Sequence, residues 1–347
     1  MVATEPPPQG ADGMVPIEHP LGTAYLDALV ALSRSASWNQ TGDDWRYMLS
    51  AGRGWGLSAP NGTVLASTLV LPYGPAPGHR AEFDARPGAG FAWVSMVLVL
   101  PAYRRLGYAS RLLRVAIDWL EAQGLDALLD ATPAGHDVYL QQGFVDTWGF
   151  ARYQRAAGPA AGAADTTAPS AETARTPAAM ADTPAAIRPL HADDWPTILA
   201  LDAPAFGGCR ETLLRSLAAR LPAAARIACC GERVTGFVFG RPGREATQIG
   251  PLVANDLPTA IALLEAALAG VSSAVYVDAP DCHAPWRAAL QAMGFGQQRT
   301  FTRMVRPARA RRGAGSPLDP ARVDPPRLEP APGDPRTLML VAGPELG

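Results

Sequence analysis

The turn at residues 104–109, with the sequence RRLGYA, carries residue types that could bind a phosphate group. It follows an apolar run from Val94 to Leu100 and leads into an amphipathic segment that predicts a helix ending near Gly124. The first N–H groups of a helix have no partner within it, and the helix dipole adds partial positive charge there. Gly107 and the small Ala109 leave these N–H groups accessible. A strand, a basic turn and a helix start in this order predict an anion site.

The spacing Arg104-x-x-Gly107-x-Ala109 resembles the pyrophosphate motif of the GCN5-related N-acetyltransferases, the GNAT superfamily. The resemblance implies a mixed α/β sheet flanked by helices, with acetyl-CoA as acyl donor and a primary amine as acceptor. It also implies a donor site at the strand end and turn, formed by Val97, Leu98, Val99, Arg104, Arg105, Leu106, Gly107, Tyr108, Ala109 and Ser110. The alternative is an ordinary strand–turn–helix unit whose basic turn is solvated.

The resemblance further implies an acid that protonates the departing thiolate of the donor. Tyr139 is the candidate because it precedes Gly143-Phe144 in the spacing Tyr-x-x-x-Gly-Phe. This spacing is similar to the family pattern in which a tyrosine on the helix after the fifth strand reaches the CoA sulfur. The alternative role is a half-buried aromatic side chain that packs against the sheet.

The acceptor amine must lose a proton before it attacks, because a free alkyl amine has a pKa of about 10.4. Asp130 is the first candidate for the base, since it lies at the end of a predicted strand, where loops border a cleft. It could instead hydrogen bond to nearby backbone. His136, Glu82 and Asp84 are weaker candidates, because a lone histidine is often incidental and acidic loop residues are usually solvated.

Three further residues are candidates for the acceptor site. Trp38 and Asn39 lie where the substrate-side loop of the family is expected, although Trp38 could simply anchor that loop. Glu345 belongs to the segment GPELG at residues 343–347. It could enter an acceptor site shared by both halves of the chain, or it could fix this segment through a salt bridge with an arginine.

The order of the predicted elements agrees with the GNAT resemblance over the whole first half. These elements are helices at 23–34 and 44–50, a hairpin at 55–71, the donor strand and helix, a strand at 127–131, a helix after Thr132-Pro133 and a last strand from residue 143. Asn61-Gly62 between two apolar runs predicts the hairpin. Thr132 and Pro133 are expected as N-cap and first residue of their helix.

The second half repeats this order from residue 187 onward. The segment Ala274–Pro280 matches Ala127–Pro133, and Gly294-Phe295 matches Gly143-Phe144 at nearly the same interval. A repeat of this kind predicts two tandem GNAT-like domains.

The phosphate-binding turn is not repeated. Alignment of the two helices places Asn255 opposite Arg104, Asp256 opposite Arg105 and Pro258 opposite Gly107. Proline lacks an N–H donor, and a carboxylate repels phosphate. Asp256 is better explained as a helix N-cap with Pro258 in the first turn. The chain therefore resembles a two-domain subgroup of the superfamily with a degenerate C-terminal half.

Composition separates these halves from segments that cannot form a core. Residues 156–186 and 307–336 are poor in large apolar side chains and cannot offset the entropy of ordering. The expected organisation is a disordered N-terminus (1–13), a catalytic domain (14–155), a disordered Ala/Pro linker (156–186), a degenerate domain (187–306 with 337–347) and a Pro/Arg-rich low-complexity segment (307–336). The apolar residues after Thr337 could pair with the second domain as a terminal strand.

The overall composition disfavours several functional classes. The 347 residues are 48% hydrophobic and 18% charged, which is sufficient for two cores. A net charge of −2 argues against nucleic acid as the main partner, although all 30 basic residues are arginine. No apolar run approaches the roughly 18 residues of a membrane span, and no hydrophobic signal core is present. We therefore expect a cytoplasmic protein without a membrane partner.

The four cysteines are Cys209, Cys229, Cys230 and Cys282. None has the spacing of a metal site, so no metal is expected. We interpret them as small buried residues of a reducing compartment, with Cys229 and Cys230 on opposite faces of a strand. A catalytic thiol is the alternative.

Two functions fit these patterns. The first is an acetyl-CoA-dependent N-acetyltransferase with its active site in the first half. The second is a CoA-binding regulatory or interaction module without turnover, because no residue is an unambiguous base. Tyr139 and the phosphate-binding turn favour the enzyme. The sequence does not identify the acceptor amine or the oligomeric state.

Overall fold

The structure is a computed structural model that describes residues 15–74, 90–158, 185–308 and 332–347. Glu82 and Asp84, the N-terminal 14 residues and most of the two Pro-rich segments lie outside the described residues. Within the described ranges, no helix is both long enough and apolar enough to cross a membrane.

The first half alternates strands and helices. Its strands are β1 (Ile17–Leu21), β2 (Arg53–Ser58), β3 (Val64–Tyr73), β4 (Phe91–Val99), β5 (Asp126–Ala131) and β6 (Val145–Arg155). Its helices are α1 (Leu26–Ser35), α2 (Gly42–Ala51), α3 (Tyr108–Ala122) and α4 (His136–Gln141). The Asn61-Gly62 hairpin is confirmed. Among the described strands and α-helices of this half, the sequence patterns located all but β1.

The predicted cap of α4 was wrong. The helix begins at His136 rather than at Pro133. The carbonyl oxygen of Thr132 accepts hydrogen bonds from the N–H groups of Gly135, at 3.0 Å, and His136, at 3.1 Å. These bonds close a turn over Pro133 to Gly135, and the helix starts only after this turn.

The second half contains seven strands and four helices in its described residues. The strands are β7 (Ala186–Pro189), β8 (Arg226–Cys230), β9 (Arg233–Arg241), β10 (Thr247–Ala254), β11 (Val275–Pro280), β12 (Gly296–Arg306) and β13 (Leu338–Leu340). The helices are α5 (Trp195–Phe206), α6 (Glu211–Arg220), α7 (Leu257–Leu268) and α8 (Ala284–Ala292). Helix α6 was not predicted from the sequence.

All described strands belong to one mixed sheet, and the two halves exchange strands at its centre. The order is β1-β2-β3-β4-β5-β12-β6-β11-β10-β9-β8-β7, with β13 paired to β10. Thus β12 of the second half pairs with β5, and β6 of the first half lies between β12 and β11. Side chains from both halves therefore lie next to each other in the middle of the sheet.

The amphipathic helix α3 packs as its sequence predicts. Its apolar residues are buried against the first-half sheet, namely Leu112, Leu113, Ala116, Ile117 and Leu120. Its outer face carries exposed charges such as Arg114 and Asp118. This packing places the first turn of the helix beside the end of β4.

The cysteines only partly match their predicted environment. Cys229 is buried and its neighbour Cys230 is exposed, as expected for opposite faces of a strand. The prediction that all four are buried was wrong, because Cys282 is also exposed and Cys209 is half-buried.

Candidate active site

A gap between β4 and β5 forms the centre of the candidate site. The two strands pair in parallel only over Phe91–Trp93 and Asp126–Leu128, so they diverge beyond Trp93. The register between β3 and β4 shifts at this point, and Met96 has a left-handed φ of +52°. The hydroxyl of Ser67 donates to the Met96 carbonyl oxygen at 2.7 Å and holds this bulge. The β5-facing edge of β4 beyond Trp93 is consequently open.

The start of α3 lies at the end of this open edge. Gly107 precedes the helix with a left-handed φ of +81°, and a Cβ at this position would point into open space. Arg111 is the first residue of α3 whose N–H has an acceptor, and it donates to the Gly107 carbonyl oxygen at 2.9 Å. In the described structure, the N–H groups of residues 108–110 therefore have no partner. The turn thus has the free N–H groups that an anion site requires.

The arginines of the turn differ in their contacts. Arg104 donates from Nε to the Val99 carbonyl oxygen at 3.2 Å, which ties the turn to the end of β4. Arg105 adopts a left-handed φ of +63° and is exposed. Leu106, another predicted donor-site residue, is 49% exposed. Both guanidinium groups are thus near the surface, where they can add positive charge beyond the backbone N–H groups.

The equivalent turn of the second half is closed by its own side chains. Asp256 accepts a hydrogen bond from the Thr259 N–H at 2.7 Å, and the Thr259 hydroxyl donates to the same carboxylate at 2.9 Å. Pro258 occupies the first turn of α7. The predicted N-cap is confirmed, and the carboxylate stands where an anion would bind.

The equivalent strand gap of the second half is filled by residues near the end of the chain. The parallel pairing of β10 with β11 covers only Thr247–Ile249 and Val275–Val277. β13 pairs with β10 beyond that point, and the Val341 N–H donates to the Asp278 carbonyl oxygen at 3.0 Å. A Cβ at Gly250 would collide with the Val341 carbonyl oxygen. The predicted terminal strand is confirmed, and it occupies the gap that is open in the first half.

The open gap of the first half leads into a cavity lined by residues of both halves. Six residues singled out from the sequence line it, namely Trp38, Asn39, Val97, Asp130, Tyr139 and Glu345. They come from separate elements of the first half and from the segment after β13. Sequence positions more than 300 residues apart thus meet at one site.

Asp130 is held by an arginine from the other half of the chain. Its carboxylate accepts two hydrogen bonds from Arg303 on β12, at 2.9 and 3.0 Å, and both side chains are buried. The guanidinium lies between Trp93, at 4.4 Å, and Trp148, at 4.1 Å from the ring centroids. Burial raises the pKa of Asp130 to about 6, although Arg303 acts in the opposite direction. The partner is a side chain, so the sequence-based alternative of backbone hydrogen bonding was wrong.

Tyr139 combines a packing contact with a free hydroxyl. Its ring packs edge-on against Phe144, with centroids 6.0 Å apart. Burial raises the pKa of the phenol to about 12, so the hydroxyl keeps its proton at neutral pH. No other described residue accepts or donates a hydrogen bond to this hydroxyl. Tyr139 therefore presents an unused proton donor to the cavity.

Asn39 positions the cavity wall. Its amide donates to the Ala246 carbonyl oxygen at 2.9 Å and accepts from the N–H groups of Glu245 and Ala246 at 2.8 and 3.1 Å. Arg244 of the same loop donates to the Trp38 carbonyl oxygen at 3.0 Å. These bonds use the amide within the protein, so Asn39 fixes the loop that carries Trp38 into the cavity.

The salt bridge that the sequence suggests for Glu345 is present, and the residue also lies at the cavity. It forms an ion pair with Arg241 and also lines the cavity. Arg241 contacts Asp44 at 2.8 Å, and Arg220 contacts the same carboxylate at 2.9 Å. Burial opposes ionisation of Asp44, but the two arginines hold its pKa below the usual value. This network fixes residues 343–347 across the two halves.

His136 has no part in the cavity. Its Nε2 lies 2.8 Å from a carboxylate oxygen of Asp146, near the surface. The expectation that this histidine is incidental agrees with its position.

Family models match both halves of the chain. The model described as "Acetyltransferase (GNAT) family" matches residues 25–144, and the one described as "Acetyltransferase (GNAT) domain" matches residues 198–316. Together the matches cover more than half of the chain. The chain belongs to the GNAT superfamily. It is a tandem GNAT protein, as the repeated sequence pattern indicates.

Solved structures have the same tandem fold at low sequence identity. A candidate acetyltransferase from Pyrococcus horikoshii is 16% identical, with a TM-score of 0.66 over 96% of both chains. A GCN5-related N-acetyltransferase from Sphaerobacter thermophilus is 14% identical, with a TM-score of 0.55 over 84% of this chain and 95% of that one. A tandem GNAT protein from the clavulanic acid biosynthesis pathway is 17% identical, with a TM-score of 0.54 over 88% of this chain and 100% of that one. No curated protein matches the chain.

The two GNAT halves thus differ at both features that define the site. The first half has an open helix start and an open strand gap. In the second half, Asp256 closes the former and residues 338–341 fill the latter. The second half instead contributes Arg303 and Glu345 to the first-half cavity.

Proposed function

We propose that the protein is an acetyl-CoA-dependent N-acetyltransferase whose active site lies in the first half. The observation that carries the proposal is the continuity of three features in that half. The free N–H groups at the start of α3, the open edge of β4 and the cavity with Asp130 and Tyr139 follow one another. Acetyl-CoA, when bound, supplies an acetyl group activated as a thioester.

The N–H groups of residues 108–110 and the arginines of the turn would hold the pyrophosphate of the donor. The open edge of β4 would hold its pantetheine arm. Backbone N–H groups on this edge can also stabilise negative charge that develops on a carbonyl oxygen. The residues present therefore fit an acyl-CoA donor.

Asp130 is the proposed base for the acceptor amine. With a pKa of about 6, its carboxylate is ionised at neutral pH and can accept a proton directly or through a water molecule. Its two hydrogen bonds from Arg303 keep the carboxylate oriented while that proton arrives. Glu345 would help to orient the amine from the opposite side of the cavity.

Tyr139 is the proposed acid. Its hydroxyl is protonated at neutral pH, as that of an unperturbed phenol also is, and no described residue forms a hydrogen bond with it. It can therefore give a proton to a departing thiolate and regain one from solvent. Neither pKa has to be shifted toward neutrality, because at neutral pH Asp130 is already ionised and Tyr139 is already protonated.

The test is release of free thiol from acetyl-CoA in the presence of amines, amino acids and polyamines. We expect release with at least one acceptor class, and formation of the N-acetyl product by mass spectrometry. A Gly107→Asp variant should lose this activity, because its carboxylate repels the donor phosphates. Binding of acetyl-CoA without transfer to any acceptor would contradict the proposal and favour a regulatory CoA-binding module.

We also propose a cytoplasmic location and a small-molecule or other amine acceptor as the partner. All four cysteines are free thiols, which fits a reducing compartment. Subcellular fractionation of the host cell tests the location.

A further inference from the structure

Among the described residues, four charged side chains line the cavity, and three of them form ion pairs within the protein. Asp130 pairs with Arg303, Glu345 pairs with Arg241, and Arg152 pairs with Asp278 at 2.8 Å. These pairs are nearly or fully buried. The fourth charged side chain is Arg299.

Arg299 has no partner for its charge. None of the ion pairs and hydrogen bonds among the described residues involves its guanidinium, and its Nε is buried without a hydrogen bond. Its closest aromatic neighbour is Phe301, whose ring centroid lies 5.3 Å from the guanidinium carbon. The cavity therefore contains one positive charge in excess of its internal pairs.

The strand geometry directs Arg299 into the cavity. The register between β12 and β6 shifts between Gln297 and Arg299, which places Arg299 opposite Arg152. Bulges of this kind commonly redirect side chains beside active sites. From Arg299 onward, alternation puts Phe301 and Arg303 on the same face of the strand. Arg299 is thus the outermost of three side chains in a row, and Arg303 at the inner end of the row pairs with Asp130.

The surroundings make an unpaired charge costly. Burial lowers the pKa of Arg299, and the opposed Arg152 acts in the same direction, whereas the more weakly acting Asp278, Tyr276 and Glu345 oppose them. Two like charges across a strand pair destabilise the sheet, and a half-buried cation without hydrogen bonds loses solvation. A bound anion would remove both costs.

We infer that Arg299 binds a carboxylate of the acceptor, so that the acceptor class is amino acids or closely related amino-carboxylates. The inference rests on the proposed function and extends it. The planar guanidinium matches a carboxylate with two parallel hydrogen bonds. The amine end of the same molecule then faces the carboxylates of Asp130 and Glu345, which line the same cavity. A zwitterion matches this distribution of charge better than a simple amine or a polyamine.

The test compares acceptors that differ only in the anionic group. Thiol release is measured with L-phenylalanine against phenethylamine, L-methionine against 3-(methylthio)propylamine, and phosphoethanolamine against ethanolamine. The kcat/KM should be at least about tenfold higher for the amino acid of a pair than for its decarboxylated amine. A preference confined to phosphoethanolamine would overturn the carboxylate assignment and indicate a phosphate instead.

The residue is tested with Arg299→Gln and Arg299→Lys. The glutamine variant should lose about 10–100-fold in kcat/KM for the amino acid and little for the amine, and lysine should restore part of the loss. Arg233→Gln is the control, because Arg233 is an exposed arginine at the start of β9 without an ion pair among the described residues. Equal losses for amino acid and amine would overturn the inference.

A binding experiment separates this inference from the proposed function. Calorimetry with N-acetyl-L-phenylalanine and N-acetylphenethylamine measures the preference for carboxylate without any turnover. Binding of the acid by the wild type, lost in Arg299→Gln, would support the inference even if no acceptor released thiol. Equal binding of the two compounds would overturn it, even if acetyl transfer to simple amines were observed.

Discussion

At the scale of single residues, burial shifts the pKa of both the candidate base and the candidate acid upward. It raises the pKa of Asp130 to about 6 and that of Tyr139 to about 12. Neither shift crosses neutral pH, so the carboxylate is still mostly ionised there and the phenol is still protonated. The pair can work in the window between the two values, without any further group to adjust either one.

The first prediction concerns the pH dependence of activity. As pH falls through about 6, Asp130 takes up a proton and can no longer accept one from the amine. With a weakly basic aromatic amine as acceptor, kcat/KM should fall about tenfold per pH unit below this value.

Asp130→Asn should abolish this acidic limb together with most of the activity. Asp118→Asn, on the exposed face of α3, is the control.

The raised pKa of Asp130 also affects the stability of the folded protein. The folded protein binds this proton more tightly than the unfolded chain, so the stability contributed by protonated Asp130 is lost as pH rises from about 4 to about 6. A pH profile of kcat/KM without an inflection near pH 6 would contradict the assignment of Asp130 as the base.

The second prediction is for Tyr139→Phe. The ring keeps its contact with Phe144, and no intramolecular hydrogen bond of the hydroxyl is lost within the described structure. Turnover should therefore fall about 10²–10⁴-fold, with acetyl-CoA affinity and melting temperature nearly unchanged. Tyr25→Phe, remote from the cavity, controls for general effects. Wild-type turnover in Tyr139→Phe would show that this tyrosine only packs against the sheet.

At the scale of elements, the start of α3 makes a third prediction. Gly107→Asp places a carboxylate at free N–H groups that would otherwise contact phosphate, so acetyl-CoA binding measured by calorimetry should be lost. Gly62→Asp is a matched control, because Gly62 also has a left-handed φ, of +86°, and open space around a Cβ. Both variants should lose a similar, small amount of stability, about 1 kcal/mol. Equal acetyl-CoA affinity in the two variants would place the donor elsewhere.

Local patterns predicted most of the elements. The apolar spacing of α3, the Asn61-Gly62 turn and the cap at Asp256 each depend on a few neighbouring residues, and each was confirmed. Thr132 was misread because a turn over Pro133 to Gly135 can use the same carbonyl oxygen as a helix start. β1 was missed because its five residues have no alternating apolar pattern, and α6 was missed although Leu213, Leu214, Leu217 and Ala218 have helical spacing.

The sequence predicted several residues of the candidate site, but not the side chains with which they form ion pairs. Trp38, Asp130, Tyr139 and Glu345 were all found from motif or position, and all line one cavity. The pairing of Asp130 with Arg303 spans 173 residues and depends on strand exchange, which no local pattern encodes. The role of Arg299 was not predicted either. An arginine on a strand is usually solvated, and only the ion pairs of the other charged cavity residues show that the charge of Arg299 is unpaired.

At the scale of the whole molecule, the two halves predict a stoichiometry. Acetyl-CoA should bind with one site per chain, because Asp256 caps the second helix and residues 338–341 fill the second gap. Asp256→Ala should not create a second site, since the strand gap remains filled. Titration calorimetry measures this number directly. Two equivalent sites would contradict the assigned difference between the halves.

The exchanged strands predict that the halves unfold together. β6 pairs with both β11 and β12, and β12 pairs with β5, so neither half can separate without breaking several rows of hydrogen bonds. We expect one calorimetric transition for the full chain, shifted as a whole by Leu128→Ala in the first half or Val277→Ala in the second. Two transitions that respond separately to these substitutions would contradict this prediction.

The strand exchange also means that strands which pair in the sheet leave the ribosome at widely separated times. About 150 residues separate the end of β6 from the end of β12, which fills the place beside β5. At typical elongation rates of about 5–20 residues per second, the ribosome needs roughly 8–30 s to supply them. Throughout that interval the edge of β5 has no neighbour, and an open strand edge is a template for aggregation. Arg303, which orients the Asp130 carboxylate, arrives at the end of the same interval, so the candidate site of the first half is complete only after almost the whole second half has been translated.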